Sequence, residues 1–260
     1  MKFLYLVMIY YFVIESIDDL KRFIKKYCIV ITIICCMSLF FYVFGYLFNL
    51  LPVNYNVILN WGNTKTVGSI FNLHFLIQTE NFFGYSIIRN TGLFCEAPMF
   101  MLNLVMALSA NLFCVSNKNK LANLILAIGI ITTLSSIGYI SLIIIITLYF
   151  FINNKFNVKF LFIPILLLIS VFLITNVIET KSSTRSYSVR YDDYIASIES
   201  WKENILFGNG YKNNDVFLSK ISSFRYTNTG QSSSVGAILS QGGIYLFFIY
   251  IMSFISIYKF

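Results

Sequence analysis

Apolar residues are grouped in long blocks, and the polar residues lie mainly in the connections between them. Four blocks, residues 27–51, 97–115, 160–178 and 235–258, contain no Asp, Glu, Lys, Arg or His. Each has about the 20 residues that a helix needs to cross the hydrocarbon layer of a bilayer. The blocks therefore predict helices that span a membrane.

Two further apolar segments have less usual lengths. The first run follows Lys2 without a small-residue cleavage site, which favours a short or truncated membrane helix over 3–17 rather than a signal peptide. We expect the chain to be part of a longer protein for this reason. The segment 121–152 would be about 48 Å long as one helix. Its two Lys-bearing flanks favour two short helices, 121–136 and 138–152, and one long tilted helix is the alternative.

The positions of the basic residues orient these helices. Short connections rich in Lys and Arg mark the cytoplasmic side of a membrane. Such connections carry Lys21, Arg22, Lys25, Lys26, Lys118, Lys120, Lys155 and Lys159. The sequence thus predicts an all-α polytopic membrane helix bundle, with residues 1–260 as a single integral membrane domain. About seven membrane helices are expected: 3–17, 27–51, 97–115, 121–136, 138–152, 160–178 and 235–258.

This orientation places two large loops outside the membrane, over 52–96 and 179–234. The first loop ends with Arg89 and Glu96 before Pro98, which suits an early helical position. Glu96 is also interpreted as a helix cap, and Arg89 as a side chain that reaches towards lipid headgroups. In the second loop, residues 191–205 have the period of an amphipathic interfacial helix, and simple packing on the bundle is the alternative interpretation.

Composition excludes several classes of protein. The chain has 260 residues, of which 58% are hydrophobic and only 12% charged, and this excludes a disordered chain, a nucleic-acid-binding domain and an ordinary cytosolic enzyme. The net charge of +8 reflects the basic connections rather than a nucleic-acid patch. One histidine and five cysteines without ligand spacing predict no metal site. No nucleotide-binding motif is present either, so we expect external chemistry without a cofactor.

Several short motifs together resemble the O-antigen polymerase and O-antigen ligase superfamily. Residues 89–98 resemble its RxxGxxxEP element, and Thr133-x-Ser135-x-x-Gly138 resembles its T-x-S-x-x-G turn. Ser188-Val189-Arg190, Trp201 and Phe207-Gly208-x-Gly210 resemble its large external loop. Gln241-Gly242-Gly243 resembles the opening of the helix that follows. The resemblance covers roughly residues 85–250.

The chain also departs from this family. Ala97 separates Glu96 from Pro98, which are adjacent in the family, and family members have more helices. The ligases carry a histidine near the end of the large loop, where this chain reads Gln231-Ser232-Ser233. This difference favours a polymerase of surface polysaccharide, such as O-antigen, capsule or exopolysaccharide.

The resemblance implies a glycosyltransferase whose donor is a glycan on undecaprenyl pyrophosphate. Its reaction needs fixed cations near the pyrophosphate, and arginine binds phosphate bidentately. The candidate catalytic residues are Arg89, Arg190 and Glu96, and the candidate substrate-binding residues are Arg185, Asp192, Trp201 and Arg225. Glu96 and Asp192 are the candidate bases.

The resemblance also implies the surroundings of the protein. It implies a multi-pass protein of the bacterial cytoplasmic membrane, in contact with membrane lipid and with an undecaprenyl-pyrophosphate-linked oligosaccharide. A chain-length regulator and a flippase are further expected partners, and nucleic acid is not. The alternatives are a ligase of the same superfamily and a non-enzymatic flippase or transporter, although the spans contain no charged residue to line a polar path.

Overall fold

The computed structural model describes residues 17–61, 63–82, 85–115, 119–153, 185–225 and 230–257. The chain divides into two compact units, Met1–Ile174 and Thr175–Phe260. The predicted helices 3–17 and 160–178 lie outside the described residues, apart from Ile17.

The first unit begins with a long apolar helix, α1, over Ile17–Phe40, which continues as a π-helix over Phe41–Leu47. Asp18 and Asp19 lie in its first turn, where negative charge is favourable. They form i,i+3 ion pairs with Lys21 (3.2 Å) and Arg22 (3.7 Å). The basic segment is therefore part of the helix.

Five strands follow α1 in place of an irregular loop. β1 (Asn54–Trp61), β2 (Asn63–Ile70) and β3 (His74–Leu76) form an antiparallel sheet in that order. β4 (Thr79–Phe82) and β5 (Tyr85–Ile88) form a separate antiparallel hairpin.

The prediction of an all-α fold is therefore wrong. Residues 54–61 alternate polar and apolar positions along most of their length, and this period of two is typical of a strand. Hydropathy alone presents this segment only as a connection between two helices.

Three shorter apolar helices complete the described part of the first unit: α2 (Ala97–Phe113), α3 (Lys120–Thr132) and α4 (Ser136–Asn153). The core contains the fully buried Cys35, Phe100, Leu104, Leu126 and Ile130. Between α3 and α4 the chain turns sharply, and Leu134 adopts a positive φ of 49°.

The second unit contains α5 (Arg185–Glu203), α6 (Asp215–Lys220), a 3₁₀ turn over Ser223–Arg225 and α7 (Ser234–Ile257). α5 packs against both α6 and α7. α7 is not continuous, because Gly243 has the non-helical angles φ 62° and ψ −162°.

The predicted bundle of about seven membrane helices is also corrected. Among the described residues, two helices are long and apolar enough to cross a membrane, Asp18–Leu47 and Ser234–Ser253. The other apolar helices, Ala97–Phe113, Lys120–Thr132 and Ser136–Ile152, are shorter than the usual span of about 20 residues. Hydropathy located the apolar segments, but it does not fix where a backbone bends or stops.

Candidate functional site

Arg89 lies directly after β5, and only 9% of the residue is exposed. Its Nε donates a hydrogen bond to the carbonyl oxygen of Thr133 (2.9 Å), in the turn between α3 and α4. Its backbone N–H donates to the carbonyl oxygen of Gln78 (2.8 Å). Nη1 lies 3.7 Å from Oε2 of Glu80. The guanidinium is thus held from two sides.

The pKa of Arg89 depends on its burial and on the ionisable groups around it. Burial lowers the pKa of Arg89, and the neighbouring Glu80, Tyr139 and Glu96 act in the opposite direction without cancelling that effect. An arginine stays protonated at physiological pH in spite of such a shift. The side chain is therefore a desolvated cation near two carboxylates, and an incoming anion would compete with Glu80 for it.

The next three residues, 90–92, are held in place by hydrogen bonds. The buried Asn90 side chain accepts hydrogen bonds from the Ser38 hydroxyl (2.5 Å) and the Gly92 N–H (3.1 Å) and donates to the Thr132 hydroxyl (3.0 Å). Gly92 has φ 57°, a conformation that glycine adopts without steric cost. The Thr91 hydroxyl donates to the Phe75 carbonyl oxygen (2.6 Å). Arg89 is consequently positioned by three elements, α1, β3 and α3.

Glu96 is the N-cap residue of α2. Its backbone is extended (φ −148°, ψ 144°), and within the described residues its side chain makes no capping hydrogen bond. Pro98 lies in the first turn, as predicted from its missing N–H. Gln78 accepts the Ala97 N–H through Oε1 (3.0 Å). Glu96 thus complements the helix dipole, and its negative charge acts to raise the pKa of Arg89.

Arg225 is the centre of an ion-pair cluster in the second unit. Only 1% of this residue is exposed, although its side chain carries a positive charge. Its Nη1 donates to Oδ1 of Asp193 (2.5 Å) and to Oδ2 of Asp192 (3.2 Å). Its Nη2 donates to the carbonyl oxygen of Gly230 (2.8 Å). The cluster ties the segment before α7 to α5.

Both carboxylates of this cluster have further donors. The Ser222 N–H lies 3.3 Å and 3.2 Å from the two oxygens of Asp192, and the Ser222 hydroxyl also donates to it. The Ser232 N–H (2.9 Å) and hydroxyl donate to Asp193. Burial alone would raise the pKa of Asp192, but the hydrogen bonds from Ser222 and Arg225 bring it below its ordinary value.

Two predicted substrate ligands, Asp192 and Arg225, therefore bind each other. Arg225 could reach a substrate only by leaving a buried carboxylate, which is costly. We interpret the pair as a positioning element of the second unit. The sequence analysis missed Asp193, which lies deeper than Asp192, with 0% against 7% of the residue exposed. The adjacent acidic pair on the polar face of α5 was its only signal.

The remaining candidates in the second unit differ in exposure. Arg190 is exposed on α5, on the side that also carries Tyr187 and Tyr191. Arg185 begins α5, and its side chain lies outside the described part of the chain. Trp201 is half-buried, and its indole Nε1 donates to the Ile205 carbonyl oxygen (3.0 Å). Arg190 is therefore a cation that a ligand in solvent or in the headgroup layer could meet.

The segment 207–210 packs directly on the break in α7. Gly208 has φ 67°, and a Cβ there would lie 2.4 Å from backbone atoms of Gln241 and Gly242. Four backbone hydrogen bonds join residues 205–210 to residues 240–245: Asn209 N–H to Ser240 O (2.9 Å), Gly210 N–H to Gln241 O (3.0 Å), Ile244 N–H to Ile205 O (3.0 Å) and Tyr245 N–H to Leu206 O (3.0 Å). Gly208 is thus required by close backbone contact.

His74 is a buried polar residue that the sequence analysis did not place in any site. The residue is 0% exposed, beside the rings of Phe41 and Tyr42. Neither ring nitrogen has a hydrogen-bond partner among the described residues. Burial lowers the pKa of His74 to about 4, so the imidazole is neutral at pH 7. The sequence around His74 gives no indication that its side chain is buried.

No protein-family model, curated protein or solved structure matches the chain. Within the described residues, no group of three or more His, Cys, Asp or Glu side chains is arranged to hold a metal ion.

Proposed function

We propose that the protein is a bacterial surface polysaccharide polymerase. In this proposal it transfers an undecaprenyl-pyrophosphate-linked glycan to the next lipid-linked repeat unit, at the outer face of the cytoplasmic membrane. It crosses that membrane more than once, needs no cofactor and belongs to the O-antigen polymerase and O-antigen ligase superfamily. A chain-length regulator and a flippase are its proposed partners.

The contacts between motif segments are the observation that supports this proposal. Arg89 opens the first motif and is hydrogen-bonded to Thr133, which opens the second, 44 residues later. In the other unit, the segment 207–210 is hydrogen-bonded to residues 240 and 241. Segments that form one functional arrangement are expected to lie in contact, and within each unit these segments do.

The chemistry assigns roles to these residues. A hydroxyl of the acceptor sugar attacks the anomeric carbon of the donor, a new C–O bond forms, and the bond to the lipid pyrophosphate breaks. The hydroxyl proton passes to a base, for which Glu96 is the candidate. The transition state resembles an oxocarbenium ion, and negative charge grows on the leaving pyrophosphate. Arg89 is the proposed partner of that charge, and Arg190 is the second candidate.

A genetic test separates the functions. We expect a deletion strain to carry single repeat units without long chains, as judged on polysaccharide gels. Loss of even single-unit attachment would instead indicate the ligase, and unchanged long chains would contradict both functions.

An arginine series tests the roles of the residues. Arg89→Lys and Arg190→Lys should each lose most long-chain product, because lysine keeps the charge but cannot reproduce the bidentate contact of a guanidinium with phosphate. Loss of one preorganised hydrogen-bond donor costs about 10²–10³ in rate. Arg22→Lys is the matched control, because Arg22 is an exposed residue of α1 paired at 3.7 Å with Asp19. The control should make normal chains at the same membrane level. Normal chains from both test variants would contradict the assigned roles.

A further inference from the structure

A groove of about 470 Å³ opens between α1, α2 and α3 in the first unit. Lys25, Ile29 and Ile33 line it from α1, at intervals of four residues that place them on one face of the helix. Asn111 lines the groove from α2, and its side-chain amide donates to the Asn119 carbonyl oxygen (3.5 Å) and to Oδ1 of Asn123 (2.6 Å). The groove lies far from Arg89, because Arg89 follows the strands and contacts the opposite end of α3.

The two halves of the groove have different chemistry. Lys25 and the first turn of α3, capped by Asn119, lie at one side, and a helix N-terminus carries partial positive charge. Lys25 also belongs to a basic cluster with Lys21, Arg22 and Lys26. From Lys25 onward, Ile29 and Ile33 continue the wall as an apolar surface. Among the described residues that line the groove, none is acidic.

We propose that this groove binds one anionic phospholipid. Its headgroup phosphate lies at Lys25, and one acyl chain runs along Ile29 and Ile33. Basic pockets between membrane helices on the cytoplasmic side bind anionic headgroups in this way, and the basic cluster marks that side here. The inference uses the membrane insertion of α1 and does not depend on the proposed glycosyl transfer.

The decisive comparison is between two adjacent lysines. Both side chains are exposed, but Lys25 lines the groove and Lys26, about 100° further around the same helix, does not. Both contribute equally to a diffuse basic surface, but only Lys25 contributes to a defined site. The full chain is purified in mild detergent with equal amounts of phosphatidylglycerol and phosphatidylcholine, and bound lipid is counted by native mass spectrometry.

We expect the wild type to retain one phosphatidylglycerol in preference to phosphatidylcholine. Lys25→Gln should lower that preference about fivefold, the effect of one basic residue near a lipid headgroup. Lys26→Gln should leave it unchanged. Equal losses in the two variants, or no preference in the wild type, would overturn the proposal.

A second variant tests occupancy of the groove. Ala122 is a lining residue of α3, so Ala122→Phe should fill space and exclude both lipids. Its melting temperature in detergent shows whether it has folded. Retention of the lipid by folded Ala122→Phe would also overturn the proposal. If this variant does not fold, the two lysine variants still decide the question.

Discussion

Replacement of Arg225 by methionine perturbs the ion-pair cluster of the second unit. Methionine keeps much of the length of the side chain and removes its charge. The hydrogen bonds lost include those to Asp193 (2.5 Å), Asp192 (3.2 Å) and Gly230 (2.8 Å). Asp193, which is 0% exposed, then remains buried without its cation.

The expected loss is large for one substitution. Removal of one partner of a buried ion pair costs about 3–5 kcal/mol, because the remaining charge stays uncompensated. The stability of a whole domain is only about 5–15 kcal/mol. We therefore expect Arg225→Met to lower the melting temperature strongly and to increase amide exchange in the segment that carries Ser222 and Ser232.

A double-mutant cycle isolates the interaction. Asp193→Asn removes the stranded charge, so the double variant should be more stable than the sum of the single losses predicts, by about 0.5–3 kcal/mol. Lys202→Met is the matched control, since Lys202 is an exposed cation in the last turn of α5. Its melting temperature should equal that of the wild type. An unchanged melting temperature for Arg225→Met, or an additive cycle, would refute the reasoning.

Three further predictions concern other parts of the chain. Burial lowers the pKa of His74 to about 4, below the value of about 6.5 in the unfolded chain. The free energy of unfolding should therefore be constant above about pH 6.5 and fall by about 3 kcal/mol as the pH drops to about 4. His74→Phe should abolish that loss when melting temperatures are measured at a series of pH values. Gly243→Ala should destabilise the protein by at least 1 kcal/mol more than Gly210→Ala. Both glycines have positive φ, so the backbone strain is similar. The new Cβ would lie 2.5 Å from the Leu206 carbonyl oxygen at position 243, but 3.8 Å from its nearest neighbour at position 210. Equal melting temperatures would contradict this. Tyr211, which is 82% exposed, should react as cysteine with an impermeant maleimide in intact cells, in a background without other cysteines; reaction only after lysis would contradict the external position of its loop.

The sequence largely located the apolar helices, because each of them coincides with a long run of apolar residues. Residues 97–115 were predicted as a helix, and α2 occupies Ala97–Phe113. The strands were not predicted, although the alternation of residues 54–61 was present in the sequence. A scale that averages hydropathy over many residues removes a period of two.

The sites divide in the same way. Arg89, Glu96 and Arg190 could be named from residue type and motif, but their exposure could not. Arg89 proved to be buried and Arg190 exposed, because burial depends on packing against residues far away in the chain. Asp193 and His74 had no local pattern to reveal their burial.

The sequence by itself determined that the chain is strongly apolar, which segments are helical over most of their length and which basic residues flank them. These properties follow from hydropathy and charge, which are carried by each residue locally. Only the tertiary structure decided that Arg225 pairs with Asp192 and Asp193 and that Gly208 meets the break at Gly243. Those contacts join residues about 30 positions apart, and their energy exists only when the packed chain excludes water from them.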